Sequence, residues 1–244
     1  MSLSKHKRDW DELGRVDPLW AILTNPGQRG GKWNPEEFFA SGAAEVSHVM
    51  QQAARLGAPR QRRSALDFGC GVGRLTRALA GQFDYCVGVD IADSMLRQAR
   101  EWHRGWPSCQ FLLNTTGDLR QFEDRAFDLV YSTIVLQHLP RMRLIETYVT
   151  EFIRVLDNDG LLVFQLPHHI PWMNRIQPRR RIYRFLRALG ASEVHLLNSL
   201  KLTPMRMNFI PESKVKNLVQ AAGGKVVWIE RASNIDQVYY VTRR

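Results

Sequence analysis

The residues best placed to do chemistry are three acids spaced along the chain behind a glycine cluster. Asp67 stands two residues before the first glycine of Gly69, Gly71 and Gly73. Asp90 follows 23 residues after Asp67, and Asp118 closes a later polar stretch. Three closely spaced glycines let the backbone approach a ligand, because no Cβ stands in the way. The spacing is Gly-x-Gly-x-Gly. A dinucleotide fingerprint would need its third glycine at position 74, where Arg74 stands, and no Gly-Lys-Ser/Thr phosphate loop follows. A carboxylate at Asp67 repels a pyrophosphate and suits a cationic amine. Asp90 suits two vicinal ribose hydroxyls, and Asp118 with Leu119 suits an adenine amino group and ring face. These positions call for a ligand with an amine, a ribose and an adenine, and no phosphate. His138, His168 and His169 are the candidate proton acceptors, since imidazole titrates near neutral pH. A nitrogen or carbon acceptor of a transferred group would not need one of them.

The elements that must hold these residues alternate. Residues 64–68 read as a buried strand ending at the glycine loop, and Val72, Leu75, Ala78 and Leu79 open a helical apolar stripe after it. A second strand, 85–90, ends on Asp90, and Asp93 is expected to cap the helix that follows to about His103. Residues 109–113, 126–132 and 161–166 form three more strands, with a helix over 144–156 before the last. Continuous apolar strands suit a parallel sheet covered on both faces. Residues 225–230 and 237–242, joined by a short polar loop, are expected to pair antiparallel. The fold class is therefore α/β: a doubly wound, seven-stranded, mostly parallel sheet with an antiparallel last pair. Such sheets place their ligand at the carboxyl ends of the strands. Upstream, Asn34-Pro35-Glu36-Glu37 is a helix start of cap, proline and acids, and the helix runs to about Leu56. Residues 1–56 are read as a helical cap over the ligand site, with residues 1–9 frayed, and 57–244 as the main domain.

Taken together, the chain resembles the class I S-adenosylmethionine-dependent methyltransferases of the small-molecule type. The resemblance lies in residues 66–73 (LDFGCGVG), 87–90 (VGVD), 117–119 (GDL) and 127–132 (FDLVYS), each at its expected strand tip, and in 135–139 and 156–163. It implies S-adenosyl-L-methionine as cofactor and S-adenosyl-L-homocysteine as product. It places Gly69, Cys70, Gly71 and Gly73 under the methionine part, Asp67 near its amine and Asp90 on the ribose. Ile91 and Leu119 would sandwich the adenine with Met95 nearby, Asp118 would bond its amino group, and Ser132 and Thr133 would line the sulfonium side. The acceptor is expected to be a small molecule methylated on oxygen: a glycan, lipid-linked or quinone-like metabolite. An RNA methyltransferase and a non-catalytic cofactor-binding partner of another enzyme are the competing readings. Residues 132–135 lack the Asn/Asp-Pro-Pro-aromatic signature of amino-group base methylation, and no RNA-binding module is visible, so nucleic acid is not the expected partner.

The net charge of +10 is unevenly spread. Residues 167–209 carry eight Lys or Arg against one acid, Glu193, which leaves only +3 for the rest of the chain. This stretch is read as a basic helical insertion or lid. Its centre, 178–189, puts Ile182, Phe185, Leu186 and Leu189 on one helical face, with Trp172 and Met173 just before. Three readings stay open for 175–187: contact with an anionic membrane surface, reception of an acidic substrate, or a lid whose apolar face covers the pocket. Three cysteines without Cys-x-x-Cys spacing argue against a disulfide frame or zinc site, and no metal-ligand cluster is visible, so no metal is expected. No apolar run approaches membrane-spanning length, and the basic start has no signal-peptide core, so the expected compartment is the cytoplasm, at the membrane periphery if 175–187 docks there. Oligomeric state has no signature in the chain.

Overall fold

The computed structural model describes residues 2–243, with the side chains of Met173 and Asn174 outside the description. Two helices, α1 (Leu3–Val16) and α2 (Pro18–Ile22), precede a long one, α3 (Pro35–Leu56). The core then alternates: β1 (Ser64–Phe68), α4 (Arg74–Ala80), β2 (Tyr85–Asp90), α5 (Asp93–Trp102), β3 (Cys109–Leu113), β4 (Phe127–Ser132), α6 (Met142–Val155) and β5 (Leu156–Pro167). Helices α7 (Trp172–Ile176) and α8 (Pro178–Ala188) follow, then α9 (Glu212–Ala221), β6 (Gly224–Arg231) and β7 (Asp236–Arg243).

The seven strands lie in the order β3-β2-β1-β4-β5-β7-β6. β1 to β5 run parallel, and β7 inserts antiparallel to both β5 and β6. The doubly wound sheet with its antiparallel ending is thus present as expected. The order reverses between β1 and β4, so the loops after these two strands diverge and leave a crevice at their carboxyl ends. Alternation along β1 sends Leu66 and Phe68 to the face covered by Tyr148, Val149 and Phe152 of α6. Ala65 goes to the other face, against Val46 and Val49 of α3 and Leu79 of α4. A third apolar cluster joins Leu13, Leu19, Phe38 and Met95 to Tyr183, Leu196 and Leu197, and so ties the N-terminal helices to the basic segment.

Local signals explain most boundaries. Asn34 Oδ1 accepts from the backbone N–H of Glu36 and Glu37, Pro35 takes the first helical position, and Gly57 ends α3 in the left-handed conformation. Three expectations need correction. Residues 2–9 are not frayed, Met1 lying outside the described residues: Ser2 caps α1 by accepting from Lys5 N–H, and the helix docks along α5. Asp93 does not cap α5 but lies within its first turn. The capping acceptor comes from another element, Asp11 of α1, whose Oδ1 takes the Ser94 N–H at 3.1 Å. Helix α8 does not lay its apolar stripe inward. Arg180 and Tyr183 are buried, while Ile182, Phe185 and Leu189 face solvent, and of that stripe only Leu186 packs on the core. Met173, grouped with this stripe, has its side chain outside the described residues.

Candidate functional site

The cleft at the topological switch spans about 920 Å³, the open solvent at its mouth included. One wall is local to the first two strand tips: Gly69, Cys70 and Gly71 of the glycine loop, with Asp90, Ile91 and Met95 after β2. Gly71 has φ +55°, and a Cβ there would stand 2.5 Å from Ile22 of α2, so this position takes no larger residue without displacing the cavity wall. Asp90 organises this wall. Its Oδ2 accepts from Gly71 N–H at 2.9 Å and its Oδ1 from Ala92 N–H at 2.8 Å. A carboxylate has about four acceptor sites, so each oxygen keeps one for two adjacent hydroxyls. Burial raises the Asp90 carboxyl above its ordinary range, while the backbone N–H groups pull it back.

Asp67 lies under the loop and does not line the cavity. Alternation turns it toward α4, where it accepts from the Thr76 hydroxyl at 2.6 Å, and burial pushes its pKa up to about 7. Gly73 also faces away from the cavity. It opens α4 at φ +86°, and a Cβ there would strike Phe111 and His103. At the third strand tip the cavity wall is Asn114 rather than Asp118 or Leu119. Asp118 pairs with Arg120, and its backbone carbonyl accepts from Asn114 Nδ2. Leu119 is fully buried in the core. Ser132 is buried, its hydroxyl donating to Phe68 O, so Thr133 alone of that pair reaches the cavity.

The fourth strand tip carries a strain that the sequence did not announce. Ile134 lines the cavity at φ +58°, a costly conformation for a β-branched residue. Gln165 of β5 holds it: Oε1 accepts from the Thr133 hydroxyl at 2.7 Å and from Ile134 N–H at 3.1 Å. Beyond it His138 lines the cavity, its Nδ1 bonded to the backbone carbonyl of Arg206. A carbonyl only accepts, so Nδ1 carries the proton and Nε2 keeps its lone pair. Burial lowers the His138 pKa, so the ring is neutral at neutral pH. His168 and His169 are not brought here. They follow β5, their rings in edge-on contact at 4.6 Å, and neither lines the cavity.

The opposite wall is one the motifs could not reveal. His6 and Trp10 of α1 and Ile22 of α2 close the cavity. The Trp10 ring meets His138 edge-on at 5.5 Å and His6 at 6.2 Å. Burial, aided by His138, Arg206 and Arg180, lowers the His6 pKa to about 3, so it too is neutral. The available signal was the helical spacing of His6, Trp10 and Leu13 behind a serine cap, masked by the charges around it. Arg74 was also missed. It is buried at the cavity wall, its Nη2 donates to Glu45 at 2.7 Å, and its Nε–H has no partner among the described residues. An orphaned guanidinium donor fits a carboxylate, and the glycine loop and Asp90 fit an adjacent nucleoside. No cluster of metal-ligating side chains occurs among the described residues.

Sequence comparison agrees with this architecture. A family profile described as a methyltransferase domain matches residues 66–164. The 2-methyl-6-phytyl-1,4-hydroquinone methyltransferase of Synechocystis sp. is 27% identical over 63% of this chain and 47% of that protein. The trans-aconitate 2-methyltransferase of Methylobacterium radiotolerans is 30% identical over 65% of this chain and 56% of that protein. The chain thus spans about half the length of these curated relatives. The crystal structure of magnesium protoporphyrin IX methyltransferase from Synechocystis, solved with bound SAH, shares the fold. Its TM-score is 0.58 at 16% identity, over 93% of this chain and 98% of that one. Residues 66–164 thus match a methyltransferase domain, set in a fold shared with a methyltransferase solved with SAH bound.

Proposed function

We propose that this protein binds S-adenosyl-L-methionine at the glycine loop and directs its methyl group to an oxygen of a small, largely apolar acceptor. The bound sulfonium would supply an electrophilic methyl group, leaving alignment and proton removal to the chain. Asp90 holds the ribose hydroxyls, Arg74 Nε–H takes the methionine carboxylate, and Ile91 with Asn114 receives the adenine. Asp67 supports the loop from beneath. Helices α1 and α2 act as a cap, which is how residues 1–56 enter this reading.

The observation that carries the oxygen reading is the bond from His138 Nδ1 to the Arg206 carbonyl. It leaves Nε2 as a neutral base in the cavity shared with the glycine loop. Nε2 takes the hydroxyl proton as the acceptor oxygen forms its bond to the methyl carbon. The carbon–sulfur bond breaks, its electron pair stays on sulfur, and S-adenosyl-L-homocysteine departs. Trp10, Phe68 and Tyr148 give the cavity an aromatic lining that suits a ring-bearing, quinone-like acceptor better than a glycan. The hydroquinone methyltransferase among the relatives supports the same class. Neutral His6 and His138 put no positive charge of their own on this wall.

The test is transfer of label from methyl-tritiated S-adenosylmethionine to a panel of hydroquinones, catechols and polycarboxylates. Label on hydroquinone oxygen is the expected result. Preferential labelling of polycarboxylates, or none of any acceptor despite cofactor binding, would overturn the acceptor reading.

A further inference from the structure

Helix α8 is inverted relative to an ordinary surface helix. Its protein-facing side carries Arg180, Tyr183 and Arg187 beside Leu186. Arg180 Nε donates to Pro204 O at 2.9 Å, and Arg187 pairs with Glu12 and Glu193. Arg180 and Tyr183 are 7% and 2% exposed. The side facing solvent is apolar: Ile182, Phe185 and Leu189 are 48%, 64% and 69% exposed. At 100° per residue these three lie within about 60° of one another, with Arg179 and Arg181 on either flank. Both flanking arginines are exposed, and neither has an ion-pair partner among the described residues. Just before, α7 exposes Trp172 and Ile176. Among the described residues, seven of the thirteen large apolar side chains left exposed fall between Trp172 and Leu200, so the patch is local and not general surface apolarity.

We propose that the outer face of α7 and α8 docks on the surface of a bilayer containing anionic phospholipid. The apolar stripe would enter the headgroup boundary, with Arg179 and Arg181 meeting lipid phosphates on either side. Trp172 has the amphipathic ring suited to that depth. No described helix is long and apolar enough to cross a membrane, so contact is with one leaflet. A second copy of this chain is a poorer occupant. A two-fold contact sets the same patch against itself and would bring Arg179 and Arg181 of both copies together. The acidic groups facing the helix, Asp9, Glu12 and Glu193, are on its inner side, Asp9 toward Arg180 and Arg184 and the other two binding Arg187, so they do not offset that repulsion. The proposal stands apart from methyl transfer, since none of these side chains lines the cavity.

The experiment is flotation of the full chain with vesicles of phosphatidylcholine alone or mixed with phosphatidylglycerol, alongside light scattering without lipid. Wild type should be monomeric and partition at least about tenfold better onto anionic vesicles, with higher salt reducing the difference. Ile182→Ser, Phe185→Ser and Leu189→Ser together should abolish partitioning without moving the unfolding midpoint, and Phe185→Glu alone should weaken it strongly if the triple variant folds poorly. Arg179→Glu with Arg181→Glu should remove the anionic preference. Wild type that floats with neither vesicle, or equally with both, overturns the proposal. So does a wild-type dimer that Phe185→Glu dissociates, which would assign the face to a second copy.

Discussion

The two walls of the cavity are built by different rules. The wall of Gly69, Gly71 and Asp90 comes from two adjacent strand–loop units, and the hydrogen bonds of its Asp90 carboxylate span at most 19 residues along the chain. The wall of His6, Trp10 and His138 comes from a helix at the start of the chain and a turn far along it. Its tautomer is set by Arg206, 68 residues beyond His138. The first wall needs only a parallel sheet to exist. The second needs α1 docked, the segment after α8 threaded back, and Gln165 of β5 holding Ile134 in place. On the proposed function, the local wall would hold the cofactor and acceptor choice would fall to the wall built from long-range contacts.

Breaking the distal wall should give the largest effect. His138→Gln is expected to lower kcat by about 10²–10⁴ while leaving S-adenosylhomocysteine affinity within about threefold. Burial depresses the His138 pKa, so kcat should be level at neutral pH and fall only as pH drops below the ordinary imidazole value. A kcat that climbs steadily between neutral and alkaline pH would assign the proton to another group. Breaking the local wall comes next. Asp90→Ala should cost about 100-fold in S-adenosylhomocysteine affinity, seen as loss of the ligand-induced rise in melting temperature, because a ligand at 100 Kd stabilises by about 2.7 kcal/mol. An unchanged rise would remove Asp90 from the ribose site.

Asp67 sharpens the comparison from below the loop. Its folded pKa, about 7, lies above the ordinary carboxylate value of 3.8, so between these values the folded state holds a proton that the unfolded state has released. Its favourable contribution is complete below the unfolded value and is lost as pH rises through about 7. Asp67→Asn should therefore stabilise the protein more at pH 8 than at pH 5, by on the order of 2 kcal/mol in urea unfolding. A pH-independent difference would show that the carboxyl stays ionised. The smallest effect is expected where the walls meet. Asp11→Ala removes the acceptor at the start of α5 and should cost about 1 kcal/mol. Limited proteolysis should then release α1 sooner, while the S-adenosylhomocysteine affinity of the local wall holds.

Legibility in the sequence follows the same division. The alternation of strands and helices along the chain, the antiparallel ending and the start of α3 were readable because alternation, proline position and capping chemistry act over a few residues. Gly69, Cys70, Gly71, Asp90, Ile91, Met95 and Thr133 line the cavity as their strand-tip positions suggested. Asp67, Gly73, Asp118, Leu119 and Ser132 sit in the same motifs but off the cavity. Which way a residue at a strand tip points depends on pleat and loop closure, and a neighbour such as Asn114 can take the exposed position. His168 and His169 shared the right end of the sheet with His138, but the parallel neighbours β1 and β4 frame the crevice and β5 lies one strand further out.

What the sequence determined by itself was the frame: an alternating α/β chain whose glycine loop and Asp90 meet at the carboxyl ends of the first two strands. Those features depend on backbone freedom and charge sign, which each residue carries wherever it is placed. Tertiary structure alone decided the rest. It put His6 beside His138, left Arg74 Nε without a partner at the wall, and turned α8 so that its arginines are buried and its apolar stripe faces outward. An amphipathic pattern records that a helix has two faces. Which face turns inward depends on the acceptors waiting there, here the Pro204 carbonyl, Glu12 and Glu193, and these come from segments that meet the helix only when the chain has folded.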